Sequence, residues 1–260
     1  APQGRLDPVG LAAALDPAAG GPVLAVSVMA ANNEIGVIAP LAQLAPLVHA
    51  AGALLHVDGA QAVGHIPLAM ADLGIDLLSL SGHKLYGPKG SGALLLAPGV
   101  RLAPQLHGGG QQDGLRAGTL PVPLIMGLAA ALELALADRE ARAQRLAALR
   151  NQLWEGLQQL GGFSLNGPPC GPQRLPHNLN VTVAGVDGNR LHQQLRQQLA
   201  VSSGSACSQG SPSHVLAALG RTHLEAASTI RFGLGRSTTL ADIHQALHSI
   251  GAALHNQGCS

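Results

Sequence analysis

The sequence predicts an α/β fold in which a mostly parallel sheet is followed by a smaller α+β unit. Three observations support this. Short apolar runs rich in β-branched residues alternate with helical segments over the first half, polar residues gather just past the ends of those runs, and a long helical stretch separates them from a second set of strands and helices.

The first predicted strand is 22–29, bounded by Gly20-Gly21 and Asn32-Asn33, and a helix follows from Leu41 to Ala51. A second strand, 53–57, ends at Asp58. A third, 76–80, ends at Ser81-Gly82-His83-Lys84. Parallel sheets place ligands outside the carboxyl ends of their strands, where Asn33, Asp58 and Lys84 all fall in sequence order.

From about Pro123 to Leu160 a single long helical pattern runs, with Leu146, Leu149, Leu153, Leu157 and Leu160 on one face. It is expected to link two domains, 1–139 and 140–260. In the second, His177 to Val183 alternates like a half-exposed strand, Gly188 to Leu199 is a predicted helix, Thr229 to Leu234 a strand, and Leu240 to Leu254 a closing helix.

Composition excludes several classes of function. Lysine and arginine number 15 against 14 acidic residues, with no basic stripe, so neither nucleic acid nor an acidic membrane is an expected partner. The longest apolar stretch, Leu124 to Ala137, contains Glu133 and is shorter than the roughly 18 residues of a membrane span. Cys170, Cys207 and Cys259 form no pair at ligand or disulfide spacing, which fits a reducing cytoplasm. The histidines show no metal-binding pattern, so no metal site is expected. The chain opens on Ala1 in mid-register, and a fragment of a longer chain is the expectation.

Lys84 lies where a strand passes into a glycine-rich turn. Burial there would lower its pKa and prepare the amine to condense with an aldehyde, although an exposed loop lysine is equally compatible with the local sequence. Asp58 ends a strand, as a carboxylate beside the ring nitrogen of pyridoxal phosphate should, or simply forms a turn. Gln61 could donate to the ring oxygen. His83 could meet a phosphate, shuttle protons, or be structural. Arg231, a charge inside an apolar strand, needs a partner: a substrate carboxylate gripped by two bonds, or a structural salt bridge. Cys207 sits among serines and glycines in a segment expected to be solvent-reachable, without an obvious neighbouring cation to hold a thiolate.

Seven ordered motifs carry a family resemblance: Asn32-Asn33-Glu34-Ile35-Gly36, His56-Val57-Asp58-Gly59-Ala60-Gln61, Ser81-Gly82-His83-Lys84, His107-Gly108-Gly109-Gly110, Arg116-Ala117-Gly118-Thr119-Leu120-Pro121, Ser202-Ser203-Gly204-Ser205-Ala206-Cys207 and Ile230-Arg231-Phe232. Together they resemble the cysteine desulfurases related to the nitrogen-fixation and general iron–sulfur-cluster enzymes, within the fold-type-I pyridoxal-phosphate superfamily.

The resemblance implies a large pyridoxal-phosphate domain, incomplete at its N-terminus, and a small C-terminal domain carrying the cysteine. It makes Lys84 the lysine that binds the cofactor aldehyde, Asp58 the ring-nitrogen partner and Gln61 the donor to the ring hydroxyl oxygen. Ser81 and His83 would contact the phosphate, Asn33 the cofactor and substrate, and Thr119 the phosphate in a neighbouring subunit, so a homodimer with shared sites is implied. Arg231 would hold the carboxylate of L-cysteine. Cys207 would take its sulfur as a persulfide, release alanine, and pass the sulfur to an acceptor or iron–sulfur scaffold protein. The family's N-terminal phosphate-binding turn and ring-stacking histidine have no counterpart in this sequence. A lyase acting on cystine or selenocysteine, and an inactive scaffold-binding module, are the competing expectations.

Overall fold

The computed structural model describes residues 2–202 and 213–257. The chain divides into two compact units. The first comprises 8–30 and 40–139; the second comprises the described residues of 1–7, 31–39 and 140–260. Segment 31–39 thus packs with the second unit although sequence order sets it among elements of the first.

In the first unit, α1 (Pro8–Ala14) and α2 (Pro17–Gly20) precede β1 (Ala25–Met29), α3 (Leu41–Ala50), β2 (Leu54–Asp58), α4 (Met70–Leu73), β3 (Leu77–Ser81), β4 (Gly92–Leu96) and α5 (Val122–Ala137). Strand order is β1-β2-β3-β4. The β1–β2 and β2–β3 pairs are parallel and β3–β4 is antiparallel, so the mostly parallel sheet expected from sequence carries an antiparallel edge. Leu41, Leu44, Ala45 and Val48 of α3 are buried, as are Leu55 and Val57 of β2. Alternate residues of β2, including His56 and Asp58, point to the opposite, partly exposed face.

The long helical pattern is two helices: α5 stops at Ala137 and α6 (Arg139–Leu160) begins the second unit. Asp138, at φ −114°, breaks the run. The leucine period from Leu146 to Leu160 lies wholly within α6 and α5 is apolar along nearly its whole length, so neither pattern marks the break.

The second unit continues with β5 (Phe163–Leu165), β6 (Asn178–Val183), α7 (Gly188–Leu195), α8 (His214–Ala218), α9 (His223–Ala227), β7 (Thr229–Gly233) and α10 (Leu240–His255). Its sheet is antiparallel in the order β5-β6-β7. The core joins Leu146, Leu153 and Leu157 of α6 to Leu179, Val181 and Val183 of β6, with Leu191, Leu195, Ile230, Phe232, Ile243 and Ile250.

The sequence-based expectation for β6 is overturned: every residue of the strand is buried. Its alternation separates an apolar face from a polar face that is equally buried and fully occupied by hydrogen bonds. Asn178 and Asn180 donate to the Glu34 carbonyl at 3.0 and 3.1 Å, and the Thr182 and Thr229 hydroxyls pair at 2.7 Å. A two-residue period reports a difference between faces, which solvent and a hydrogen-bonded interior produce alike.

Candidate active-site residues

In the first unit the candidate residues follow the carboxyl ends of adjacent parallel strands. Asp58 closes β2, level with Ser79 of β3 and Met29 of β1. Its carbonyl accepts the Ala30 N–H at 2.8 Å, and its Oδ1 accepts the Ala60 N–H at 2.9 Å, which turns the chain out of the sheet. Asp58 is therefore a turn former through one oxygen, while Oδ2 takes no hydrogen bond from any described residue. Gln61, partly exposed, lies on the turn that follows, where the Ala62 and Val63 N–H groups both donate to the Gly59 carbonyl.

Ser81 ends β3, and a single 3₁₀ turn, Gly82–Leu85, carries His83 and Lys84. Ser81 Oγ and His83 Nδ1 lie 2.8 Å apart in a hydrogen bond. Within the turn Gly82 and Leu85 are buried, while His83 and Lys84 are exposed. The expected burial of Lys84 is not met in this chain. The reason is geometric: the turn is anchored by its first and last residues, and its middle two face outward.

Gly82 is the tight point of the turn. Its N–H donates to the Ser91 carbonyl at 2.9 Å and its carbonyl accepts the Gly87 N–H at 2.9 Å. A Cβ there would collide with Ser91 Oγ and sit 3.1 Å from the Pro88 carbonyl. Thr119, in the stretch before α5, is exposed, next to Gly118 whose N–H donates to Gln111 Oε1 at 3.1 Å.

The second unit holds the other candidates. Asn33 belongs to the turn 32–36, where Asn32 Oδ1 accepts the Glu34 and Ile35 N–H groups at 2.9 and 3.0 Å. Arg231, in β7, donates from Nη1 to the Asn33 carbonyl at 3.1 Å and from Nη2 to Ser202 Oγ at 3.1 Å. Among the described residues it pairs with no carboxylate, so the salt-bridge alternative fails. A guanidinium has five N–H donors in a planar fork, and these two bonds leave three for another acceptor. Cys207 and Cys259 lie outside the described residues. Cys170 is a free, partly exposed thiol.

Sequence inspection passes over a buried side chain that supports the turn of Asn33. Arg174 stands in Gly171-Pro172-Gln173-Arg174, which reads as a surface loop, yet its side chain is 1% exposed. It donates to the carbonyls of Ile35 at 2.8 Å, Pro168 at 2.6 Å and Asn166, and to Asn178 Oδ1 at 3.1 Å. Burial, the largest cause, pulls its pKa down to about 10, which still leaves it protonated at neutral pH. No local pattern signals it, because its acceptors are backbone carbonyls, one of them 139 positions away, and an amide, none of which leaves a charge or a period in the sequence.

A family model for class-V aminotransferases matches residues 2–246, nearly the whole chain. The chain belongs to the class-V aminotransferase family. It is 45% identical over 253 residues to the cysteine desulfurase IscS of Anaeromyxobacter dehalogenans, a match covering 95% of this chain and 61% of that protein. It is 47% identical over 229 residues to the cysteine desulfurase IscS of Aeromonas hydrophila, covering 86% and 56% respectively. Among solved structures, the NifS-like protein of Rickettsia africae superposes with a TM-score of 0.88 at 28% identity, covering 97% of this chain and 68% of that one. The chain thus spans about three fifths of the length of these curated relatives.

Class-V aminotransferases use pyridoxal phosphate, and the residues of the first unit fit that cofactor. An aldehyde needs a primary amine, which Lys84 presents unencumbered at a strand end. A pyridinium nitrogen needs a carboxylate oxygen, which Asp58 Oδ2 has open. A phosphate needs donors, and Ser81 Oγ and His83 are exposed or partly exposed beside the same strand end. Among the described residues no helix is long and apolar enough to cross a membrane.

Proposed function

We propose that this chain carries the catalytic residues of a pyridoxal-phosphate-dependent cysteine desulfurase, which removes sulfur from L-cysteine and leaves alanine. The observation that supports it most is the 45% identity to a cysteine desulfurase along 95% of the chain. When bound, the cofactor supplies an electron sink that stabilises negative charge on the substrate's α-carbon.

Lys84 Nζ holds the cofactor aldehyde at rest and then takes and returns the proton of the substrate α-carbon. Asp58 Oδ2 keeps the ring nitrogen protonated, and Gln61 donates to the ring oxygen. Ser81 and His83 donate to the phosphate. Thr119 reaches the phosphate in a second copy of the chain, making a homodimer with shared sites. Arg231 grips the cysteine carboxylate with the donors it has free, and Asn33 contacts cofactor and substrate.

Cys207 Sγ, as thiolate, attacks the substrate sulfur. The carbon–sulfur bond breaks with its electron pair going to carbon, the carbon takes up a proton, and Cys207 retains a persulfide. One thiol and one cysteine yield one persulfide and one alanine, so no outside oxidant is needed. The persulfide then passes to a sulfur-acceptor or iron–sulfur scaffold protein, in the cytoplasm.

The test uses the native-length protein loaded with cofactor and cysteine. Alanine should form, a persulfide should be found on Cys207 by mass, and borohydride should fix the cofactor on Lys84. Undiminished alanine formation from cysteine in Cys207→Ala sinks the mechanism and points to a lyase that needs no thiol.

A further inference from the structure

Between β4 and α5 the chain makes a long loop whose two arms meet. Leu106 and Arg116 form a parallel bridge, the Ala117 N–H donates to the Leu106 carbonyl at 3.4 Å, and Ala117 is buried. At the far end Gln112, Asp113 and Gly114 take φ of 54°, 55° and 80°, a left-handed reversal that returns the chain toward its start. Just before the reversal stands Gln111, whose Oε1 accepts the Gly118 N–H across the loop at 3.1 Å.

The amide of Gln111 is seated over a second glycine. A Cβ at Gly109 would come within 2.6 Å of its Oε1 and 3.1 Å of its Nε2, so the amide fills space left open by the missing side chain. Gly118, at φ +113°, takes a backbone conformation that glycine alone adopts readily, and its direction is loose unless something holds it. Before it Ala117 is buried, and after it α5 starts at Val122, where the Leu124 and Ile125 N–H groups donate to the Pro121 carbonyl at 2.9 and 3.1 Å. Gly118, Thr119 and Leu120 between them are exposed, and Gln111 is the one side chain among the described residues that bonds this stretch. Removing it leaves Ala117 and α5 in place and frees the residues between.

We propose that Gln111 is a positioning residue for Thr119: seated over Gly109, its amide fixes Gly118 and so sets the direction in which the Thr119 hydroxyl is presented. The proposal rests on the desulfurase reading, in which Thr119 reaches the cofactor phosphate in a second copy of the chain. It gives the motif His107-Gly108-Gly109-Gly110 a physical reason, since position 109 must lack a Cβ for the Gln111 amide to lie against the loop. A hydroxyl already held in its bound direction loses less freedom on meeting the phosphate, and only the phosphate end of the cofactor feels the difference.

The experiment uses the native-length protein freed of cofactor. Affinity for pyridoxal phosphate, and for pyridoxal, which lacks the phosphate, is read by borohydride fixation on Lys84 at rising concentration. Gln111→Ala should weaken pyridoxal phosphate about three- to tenfold, the effect of one hydrogen bond, and leave pyridoxal as in wild type. Gly109→Ala should do the same, because the flexible Gln111 amide yields to the new methyl group and leaves Gly118. Thr119→Ala should weaken pyridoxal phosphate at least as much, and adding Gln111→Ala to it should change nothing further. Wild-type affinity in Gln111→Ala or in Gly109→Ala overturns the proposal. An equal loss for pyridoxal, which marks a general role in folding, also overturns it, as do additive losses in the double variant. If Gln111→Ala fails to fold, Gly109→Ala decides by the same comparison. Wild-type affinity in Thr119→Ala shows instead that Thr119 does not meet the phosphate; that failure belongs to the desulfurase reading, and the positioning role falls with it.

Discussion

Arg174 Nη1 donates to the Ile35 carbonyl at 2.8 Å, joining residues 139 positions apart in sequence. The guanidinium is buried with no carboxylate partner among the described residues; its charge is met by carbonyl oxygens of Ile35, Pro168 and Asn166 and by the Asn178 side chain. With Asn178 and Asn180, which bond the Glu34 carbonyl, this side chain holds the turn of Asn33 and Glu34 against the second unit's sheet.

Replacing Arg174 by Met should therefore destabilise the fold by roughly 3 kcal/mol or more, since several buried carbonyls lose their donor at once. Arg174→Lys should recover little, because an ammonium cannot span the same fork of acceptors. Denaturant unfolding of the three proteins checks this, and a loss below about 1 kcal/mol for Arg174→Met contradicts it.

Asp58→Asn should separate cofactor capture from turnover. Asn can still accept the Ala60 N–H, so the turn survives, whereas in the proposed role the ring nitrogen would lose the anionic partner that keeps it protonated. Borohydride fixation on Lys84 should persist while kcat drops about tenfold or more. A variant with wild-type kcat would remove Asp58 from the proposed chemistry.

Gly82→Ala should cost about 1–3 kcal/mol of stability, because the added methyl group overlaps Ser91 Oγ and crowds the Pro88 carbonyl. The turn must shift to relieve the overlap, and His83 and Lys84 shift with it. Cofactor fixation on Lys84 should fall with stability; Ser91→Ala in the same background removes the nearest overlapping atom and should restore part of both.

His192 gives a pH dependence with a definite sign. Burial lowers its pKa below 6.5, and its Nε2 lies 3.0 Å from the Thr229 carbonyl. The unfolded chain therefore takes up a proton near pH 6.5 that the folded chain resists, so this contribution to stability is complete above that pH and is lost as pH falls below it. Thermal unfolding from pH 7.5 to 5 should show the decline, and His192→Gln should flatten it. An identical pH slope in both proteins would falsify the assignment.

Much of the architecture is legible from local pattern. β1, β2, β3, β6 and β7 lie within about three residues of their predicted bounds, as do α3 and α10, because each is a short apolar run or an amphipathic period closed by a turn or a cap. Asp58, Ser81, His83 and Lys84 are found past strand ends for the same reason. The break at Asp138 and the antiparallel β4, by contrast, escape a reading based on periodicity: the leucine period lies within α6 alone and gives no sign of where the preceding apolar helix stops, and strand direction depends on which neighbour is paired.

What the residues determine on their own is therefore local: the strand and helix periods, the turns forced by Asp58 and Gly82, and the chemistry of an amine, a carboxylate and a thiol at spaced motifs. Tertiary structure alone decided that Lys84 faces outward, that the polar face of β6 is buried, and that 31–39 packs with the second unit. It also set Arg174 and Glu34 inside, holding carbonyls and a hydroxyl from distant parts of the chain. The physical reason is that burial and hydrogen-bond partnership depend on what lies across space, and a buried Arg or Glu next to remote acceptors and donors leaves no periodic trace in the segment that carries it.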